Sequence, residues 1–373
     1  MRRDLIATGA LLLAGLCLVV PFALSAPRWY TDSLYYEAQK LEVMGASQDA
    51  ALREVFTSEL AAPLRGRLPS AEQRREYAQF YRRRWVVPAL AAGLDPAFGT
   101  DALRNASLLG WAVLPALLFG LLRRRFPLVV SVVAACAAAL LPPLVNWAPV
   151  PLVDSWGASM LVAGLLTALL AREDRRWLPI WVLVVLAGSF TRDVGLVLVA
   201  ATGWLALRER SRRMALIAGL GLLASIPAPL IFSAPLQDNL AYIVNGFKLP
   251  AEAVDWGWIL DRYPDAVAAV IGDDLAYPLN VAMPYSALAW VFAIPVLAGF
   301  WLLGRAQRSP VVTMIRAAAL AGLATILLSP NYTGLRLELV LVPAIATGLA
   351  LLAERIAARR APPPVPSPPS PLR

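Results

Sequence analysis

The chain has no histidine, only two cysteines in 373 residues, and charge on just 16% of its side chains. Without imidazole, histidine-based zinc chemistry and the usual histidine general base are excluded. Cys17 and Cys136 both fall inside apolar runs, which argues against a disulfide framework. No Walker A pattern and no glycine-rich dinucleotide turn after a strand is present. Nor is there a cytoplasmic stretch large enough to form a nucleotide-binding domain. An activated substrate for any enzyme built on this chain is therefore expected to arrive through a membrane.

What is present is apolar. Hydrophobic residues make up 59% of the chain, mean hydropathy is +0.62, and runs of about 20 apolar residues recur, each long enough to cross a bilayer as a helix. The expected fold is an all-α polytopic membrane protein of about ten transmembrane helices, some of them short or broken. The spans fall near 4–26, 104–122, 126–146, 150–171, 177–190, 193–208, 214–234, 281–304, 311–330 and 337–356. The first resembles a signal peptide, but its apolar core is longer than usual and Pro27 follows the would-be cleavage site. It reads as a retained span. Residues 1–360 form one transmembrane domain, and the Pro-rich 361–373 a disordered cytoplasmic tail.

The net charge of +9 could suggest nucleic acid, but the arginines cluster in short turns between apolar runs and no basic soluble module is visible. With Arg2 and Arg3 in the cytoplasm, Arg123–Arg125, Arg172–Arg176, Arg208–Arg213, Arg305–Arg308 and Arg355–Arg360 all fall on that side, as the positive-inside rule requires. The apolar segment from Trp177 to Leu207 has to obey the same count. As one helix it would reach roughly 46 Å, and a single crossing would strand one arginine-rich turn outside. A break at Ser189–Gly195 makes it two short helices, with Thr191-Arg192-Asp193-Val194-Gly195 near the outer tip. Residues 27–103 become a long first outer loop with amphipathic helices in "TDSLYYEAQKLEV" and "SQDAALREVFTSEL", and an interfacial dip at 85–94. Residues 235–280 form a second, acidic outer loop.

Ionisable groups at the ends of membrane spans are functional candidates, because burying charge costs several kcal/mol unless it is paired. Asp32, Arg82–Arg84, Asp154, Arg192, Asp193, Arg336 and Glu338 all map to the outer side. Carboxylates there suit acid–base work, and arginines suit bidentate phosphate binding. Each also has a purely structural reading. Asp32 and Asp154 could cap helices, Arg192 could neutralise Asp193, Arg336 could pair with Glu338, and the Arg82–Arg84 cluster could snorkel.

In order along the chain, "YTDSLYYEAQ", "YRRRWVVPALAAGL", "TRDVG" and "NYTGLRLELVLVPAIA" resemble the GT-C type of integral-membrane glycosyltransferases. The resemblance implies a polyprenyl-phosphate-linked sugar as donor and a glycan, lipid or protein as acceptor. It implies Asp32 as general base on the acceptor hydroxyl and Arg84, Arg192 and Arg336 on the donor phosphate. Tyr35, Glu37, Asp154, Asp193 and Glu338 would stand in support. Many members carry a paired Asp-Glu at the catalytic turn; here Ser33 follows Asp32 and the next acid is Glu37, so no metal ligand is assigned and a divalent cation stays open as a cofactor. The expected location is a bacterial inner membrane, both termini cytoplasmic and the active site on the outer face. The competing reading is a transporter or flippase for a lipid-linked or anionic solute, since broken helices also serve transport. A further one is an oligosaccharide ligase or polymerase.

Overall fold

The computed structural model describes residues 2–25, 28–141, 145, 147, 150–192, 194–232, 236–246, 248, 250, 252, 254–280, 286–307, 309–328 and 341–360, and these residues are helical with no strand among them. In chain order the helices are α1 (Arg2–Leu24), α2 (Thr31–Val43), α3 (Gln48–Thr57), α4 (Ala71–Tyr81), α5 (Val86–Phe98), α6 (Ala102–Leu122), α7 (Leu128–Ala139), α8 (Asp154–Glu173), α9 (Leu178–Ser189), α10 (Val194–Glu209), α11 (Arg212–Ser225), α12 (Pro227–Phe232), α13 (Leu236–Val244), α14 (Trp256–Asn280), α15 (Ser286–Arg305), α16 (Pro310–Leu328) and α17 (Val342–Arg360). Among the described residues, four stretches are long and apolar enough to cross a membrane: Arg2–Leu24, Val86–Leu122, Asp154–Glu173 and Arg212–Leu230. The second is two helices, α5 and α6, divided by a 3₁₀ turn at Gly99–Asp101. The 21 residues of α6 alone suffice for a crossing. Shorter apolar helices, Leu128–Ala139, Val296–Arg305 and Pro310–Thr325, fall within the expected spans 126–146, 281–304 and 311–330.

Local sequence sets the helix ends. In α4, the Ser70 hydroxyl accepts from Gln73 N (3.3 Å) while Gln73 Oε1 accepts from Ser70 N (3.0 Å), a reciprocal cap that satisfies two otherwise orphaned donors. Ser47 and Ser211 cap α3 and α11 in the same way with one bond each. Arg316, two turns into α16, turns its guanidinium back to the carbonyls of Leu303 and Ala306 (2.8 Å to the latter), capping the C-terminal end of α15.

Three apolar clusters organise the chain. The largest joins α1, α6–α11 and α15–α17 into a bundle. Its outer surface carries large apolar side chains, among them Leu5, Leu13, Val129, Leu183, Leu207, Leu223, Leu230 and Leu320. A second cluster folds α2, α3 and α4 on one another. The third contains Tyr36, Val87, Ala91, Leu103, Ala106 and Val153 and fastens that smaller unit to the bundle.

The turns between bundle helices are tied together at one end. Arg123 Nε meets Asp4 Oδ1 at 2.8 Å, Arg125 Nη1 meets Glu354 Oε1 at 3.3 Å, Arg172 Nε meets Glu209 Oε2 at 3.0 Å, and Arg124 bonds Glu173. The arginine-rich turns at 123–125, 172–176 and 208–213 therefore share one end of the bundle with the start of α1 and the far part of α17. The Arg172–Glu209 pair also shows that 177–207 doubles back, since its two ends meet. Exposed pairs of this kind contribute little each, so their value here is as markers of position.

α15 and α17 cross at Gly299 and Gly348, where a Cβ on Gly348 would lie 2.6 Å from the Gly299 backbone. Neither backbone can yield as a side chain could. Gly348→Ala is expected to destabilise by roughly 1–3 kcal/mol, read as a lower melting temperature in detergent. Gly9→Ala, where a Cβ meets nothing within 4 Å, supplies the unchanged control.

Candidate functional site

Asp32, Arg84, Asp154 and Arg192 come together where α2 meets the bundle. Asp32 is the second residue of α2, behind Tyr30 at the N-cap, so it does not cap the helix; it lies in the first turn, where a carboxylate suits the helix dipole. Its Oδ1 accepts a hydrogen bond from the Tyr81 hydroxyl at 2.8 Å. One turn along α2, the Tyr36 ring is buried (1% exposed), and its hydroxyl accepts from Arg84 Nη1 at 2.6 Å. Burial raises the Tyr36 phenol, and the charges that act on it are Arg84, Asp32, Arg192 and Asp154. Charges from four separate segments thus act on one tyrosine, Arg84 by direct contact.

Arg192 and Asp154 form an ion pair inside the protein, with side chains 12% and 5% exposed. Asp154 opens α8, but Val153 is the N-cap and no side chain caps this helix. Arg192 follows α9 in the tip of the hairpin, whose Phe190 carbonyl accepts from Val86 N at 3.4 Å. That bond fixes the tip beside the start of α5 and so beside Arg84. Gly157, one turn into α8, leaves the room Arg192 needs: a Cβ there would lie 3.2 Å from Arg192 Cγ. The charge in "TRDVG" is therefore balanced by a partner 38 residues away, not by sequence adjacency alone.

Tyr35 and Glu37 behave differently. The Tyr35 ring is 2% exposed and stacks on Tyr81 with centroids 4.6 Å apart and planes 7° from parallel, so it buttresses the Asp32 partner. Burial holds its phenol far above the ordinary range. Glu37 is buried on α2 and bonds Lys40 Nζ at 2.6 Å; Lys40 also bonds Asp95 Oδ1 of α5 at 2.6 Å. Burial raises the Glu37 carboxyl despite the Lys40 ammonium beside it. Burial pulls Lys40 down, but its bonds to Asp95 and Glu37 outweigh this and its ammonium is held more firmly than usual. This triad clips α2 to α5, a holding role rather than one beside Asp32. Asp193, Arg336 and Glu338 lie outside the described residues.

Reading the chain alone missed Tyr36, Tyr81 and Tyr242. Tyr242 of α13 stacks on Phe80 (4.6 Å, 14°). Burial, with the Asp32 carboxylate next in weight, pushes its phenol well above the ordinary value. The segment 235–280 thus brings a tyrosine within the electrostatic reach of Asp32. The available signal was the doublet in "SLYYEA" and the tyrosine just before "RRRW", which carry polar heads into otherwise apolar company.

Among the described residues no group of three or more Asp, Glu or Cys gathers as a metal site. Chemically, the cluster offers a hydrogen-bonded carboxylate, two guanidinium groups and a second carboxylate. That set can accept a proton and hold an oxyanion. Comparison with protein-family models and with curated proteins finds no match for the chain.

Proposed function

We propose that the protein is a membrane glycosyltransferase that moves a sugar from a polyprenyl-phosphate donor to an acceptor hydroxyl at the outer face of the membrane. The observation that carries this reading is the linked set of contacts at this junction: Arg84 on the Tyr36 hydroxyl, Asp32 (four residues before Tyr36 on the same helix) on the Tyr81 hydroxyl, and the buried Arg192–Asp154 pair in the hairpin tip that is bonded to the start of α5. In the proposed step, Asp32 takes the proton of the acceptor hydroxyl as its oxygen bonds the anomeric carbon. The bond from that carbon to the phosphate oxygen breaks, and the electron pair leaves on the lipid phosphate. Arg84 and Arg192 stabilise the departing phosphate, the kind of preorganised charge that often supplies the largest catalytic effect. Asp154 holds Arg192 in place before the donor binds. The exposed apolar side chains of the bundle supply the lipid-facing surface. The arginine turns mark the opposite end of the bundle, which the positive-inside rule assigns to the cytoplasm, leaving this cluster outside. Acceptors include glycan, lipid or protein hydroxyls.

Native mass spectrometry of the protein extracted from its membrane is expected to find a bound polyprenyl monophosphate or its glycoside. The adduct should fade in Arg84→Gln and Arg192→Gln. Its absence from the wild-type protein, or equal retention in both variants, would count against the phosphate assignment.

A further inference from the structure

We infer that Tyr81 is the positioning residue for the Asp32 carboxylate, setting its orientation and its readiness to accept a proton through the hydroxyl bond to Oδ1. The inference rests on the glycosyl-transfer reading and goes beyond it by naming the group that tunes the base. The geometry is closed from several sides. The Tyr81 ring is stacked on Tyr35 (4.6 Å) and meets Tyr36 edge-on at 5.4 Å and 84°, while the Arg84 guanidinium lies 5.7 Å from its centroid. Its backbone is held too: the Tyr81 carbonyl accepts from Gln39 Nε2 at 2.7 Å and from Arg84 N at 2.8 Å. Gln39 is a buried residue of α2, the helix that carries Asp32. The end of α4 is therefore clamped to that helix, and the phenol has little freedom to leave the carboxylate.

Tyr81 is the donor in this bond. Desolvation and the Asp32 carboxylate both keep the phenol protonated. A hydrogen bond given to an ionised carboxylate favours the ionised form, so the base stays unprotonated to lower pH than it would without Tyr81. Among the described residues, the titratable groups that act on or beside Asp32 include Tyr35 and Tyr36 on its own helix, Tyr81 on α4 and Tyr242 on α13, while Arg84, Arg192 and Asp154 act on Tyr36. The Tyr81 hydroxyl bonds Oδ1 directly.

The test uses the full-length protein in proteoliposomes with a panel of undecaprenyl-phosphoryl hexoses and pentoses and a mixed acceptor extract, following release of undecaprenyl phosphate. Tyr81→Phe is expected to lower kcat about tenfold, the scale of losing one hydrogen bond to a charged group, with KM for the donor unchanged. The acid limb of its kcat/KM profile should move up by roughly one pH unit. Because removing a clamped hydroxyl could also loosen the fold, a second variant carries ring-fluorinated tyrosine at position 81. It keeps the shape, strengthens the donor, and should move the acid limb the other way. Wild-type rates and an unchanged profile in both variants would overturn the inference. So would a loss of activity that follows melting temperature with no movement of the acid limb. If wild type transfers sugar, Asp32→Asn does not, and Tyr81→Phe matches wild type, the Tyr81 inference alone fails. If wild type releases no undecaprenyl phosphate, the transfer reading fails and this inference with it.

Discussion

Asp32→Asn is expected to lower turnover by about 10²–10⁴-fold, the range a positioned general base contributes, while leaving folding and membrane insertion as in wild type. Asparagine keeps the shape of the side chain and can still accept the Tyr81 hydroxyl through its amide oxygen. What it loses is the capacity to take a proton. The variant therefore separates chemistry from architecture better than alanine, which would also strip Tyr81 of a partner. Comparison of turnover and melting temperature on the same preparation checks both halves of the expectation. Retained turnover would remove Asp32 from the base role.

Arg192→Ala is expected to produce the largest loss of stability, about 3–5 kcal/mol, the usual consequence of removing one member of a buried ion pair. Asp154 is only 5% exposed, so water cannot replace the guanidinium. The double variant Arg192→Ala/Asp154→Ala should recover much of the loss, since no carboxylate is then left in a poorly solvated place. Thermal unfolding in detergent of the two single variants and the double variant measures the coupling. Additive losses would show that the pair is not the stabilising unit. In the mechanism the same contact has a second consequence: Arg192 is presented already aimed and dry, the condition in which a guanidinium is most effective on a phosphate.

The long elements were legible because their cause is local. A run of about 20 apolar residues between arginine clusters has one economical conformation in a bilayer, so the expected span 104–122 appears as Ala102–Leu122, while the expected 193–208 appears as a helix, Val194–Glu209, of 16 residues and outside the four stretches long enough to cross. The amphipathic stretch "TDSLYYEAQKLEV" is Thr31–Val43, residue for residue. The hairpin at 177–207 followed from chain length and charge balance, and the ion pair between Arg172 and Glu209 closes it.

The site was only partly legible, since its bonds are long-range. The Asp32–Tyr81 bond spans 49 residues and the Lys40–Asp95 bond 55, and no spacing rule in one sequence reports such partners. Asp154 read equally well as a helix cap until Val153 proved to occupy that position. Arg192 read equally well as the neighbour of Asp193 until it proved to reach Asp154. Listing charged residues at span ends found Asp32, Arg84, Asp154 and Arg192 because charge in an apolar chain is conspicuous. The same filter passed over tyrosines, which an apolar chain hides well.

The most direct test of the account is the fate of the sugar–phosphate bond. Purified protein in proteoliposomes, given a radiolabelled undecaprenyl-phosphoryl sugar and a mixed acceptor extract, should release undecaprenyl phosphate in step with label appearing on acceptor, and Asp32→Asn should slow both together by about 10²–10⁴-fold. Label that crosses between leaflets with the sugar still on its lipid phosphate would contradict the account and identify the protein as a carrier of lipid-linked sugars instead.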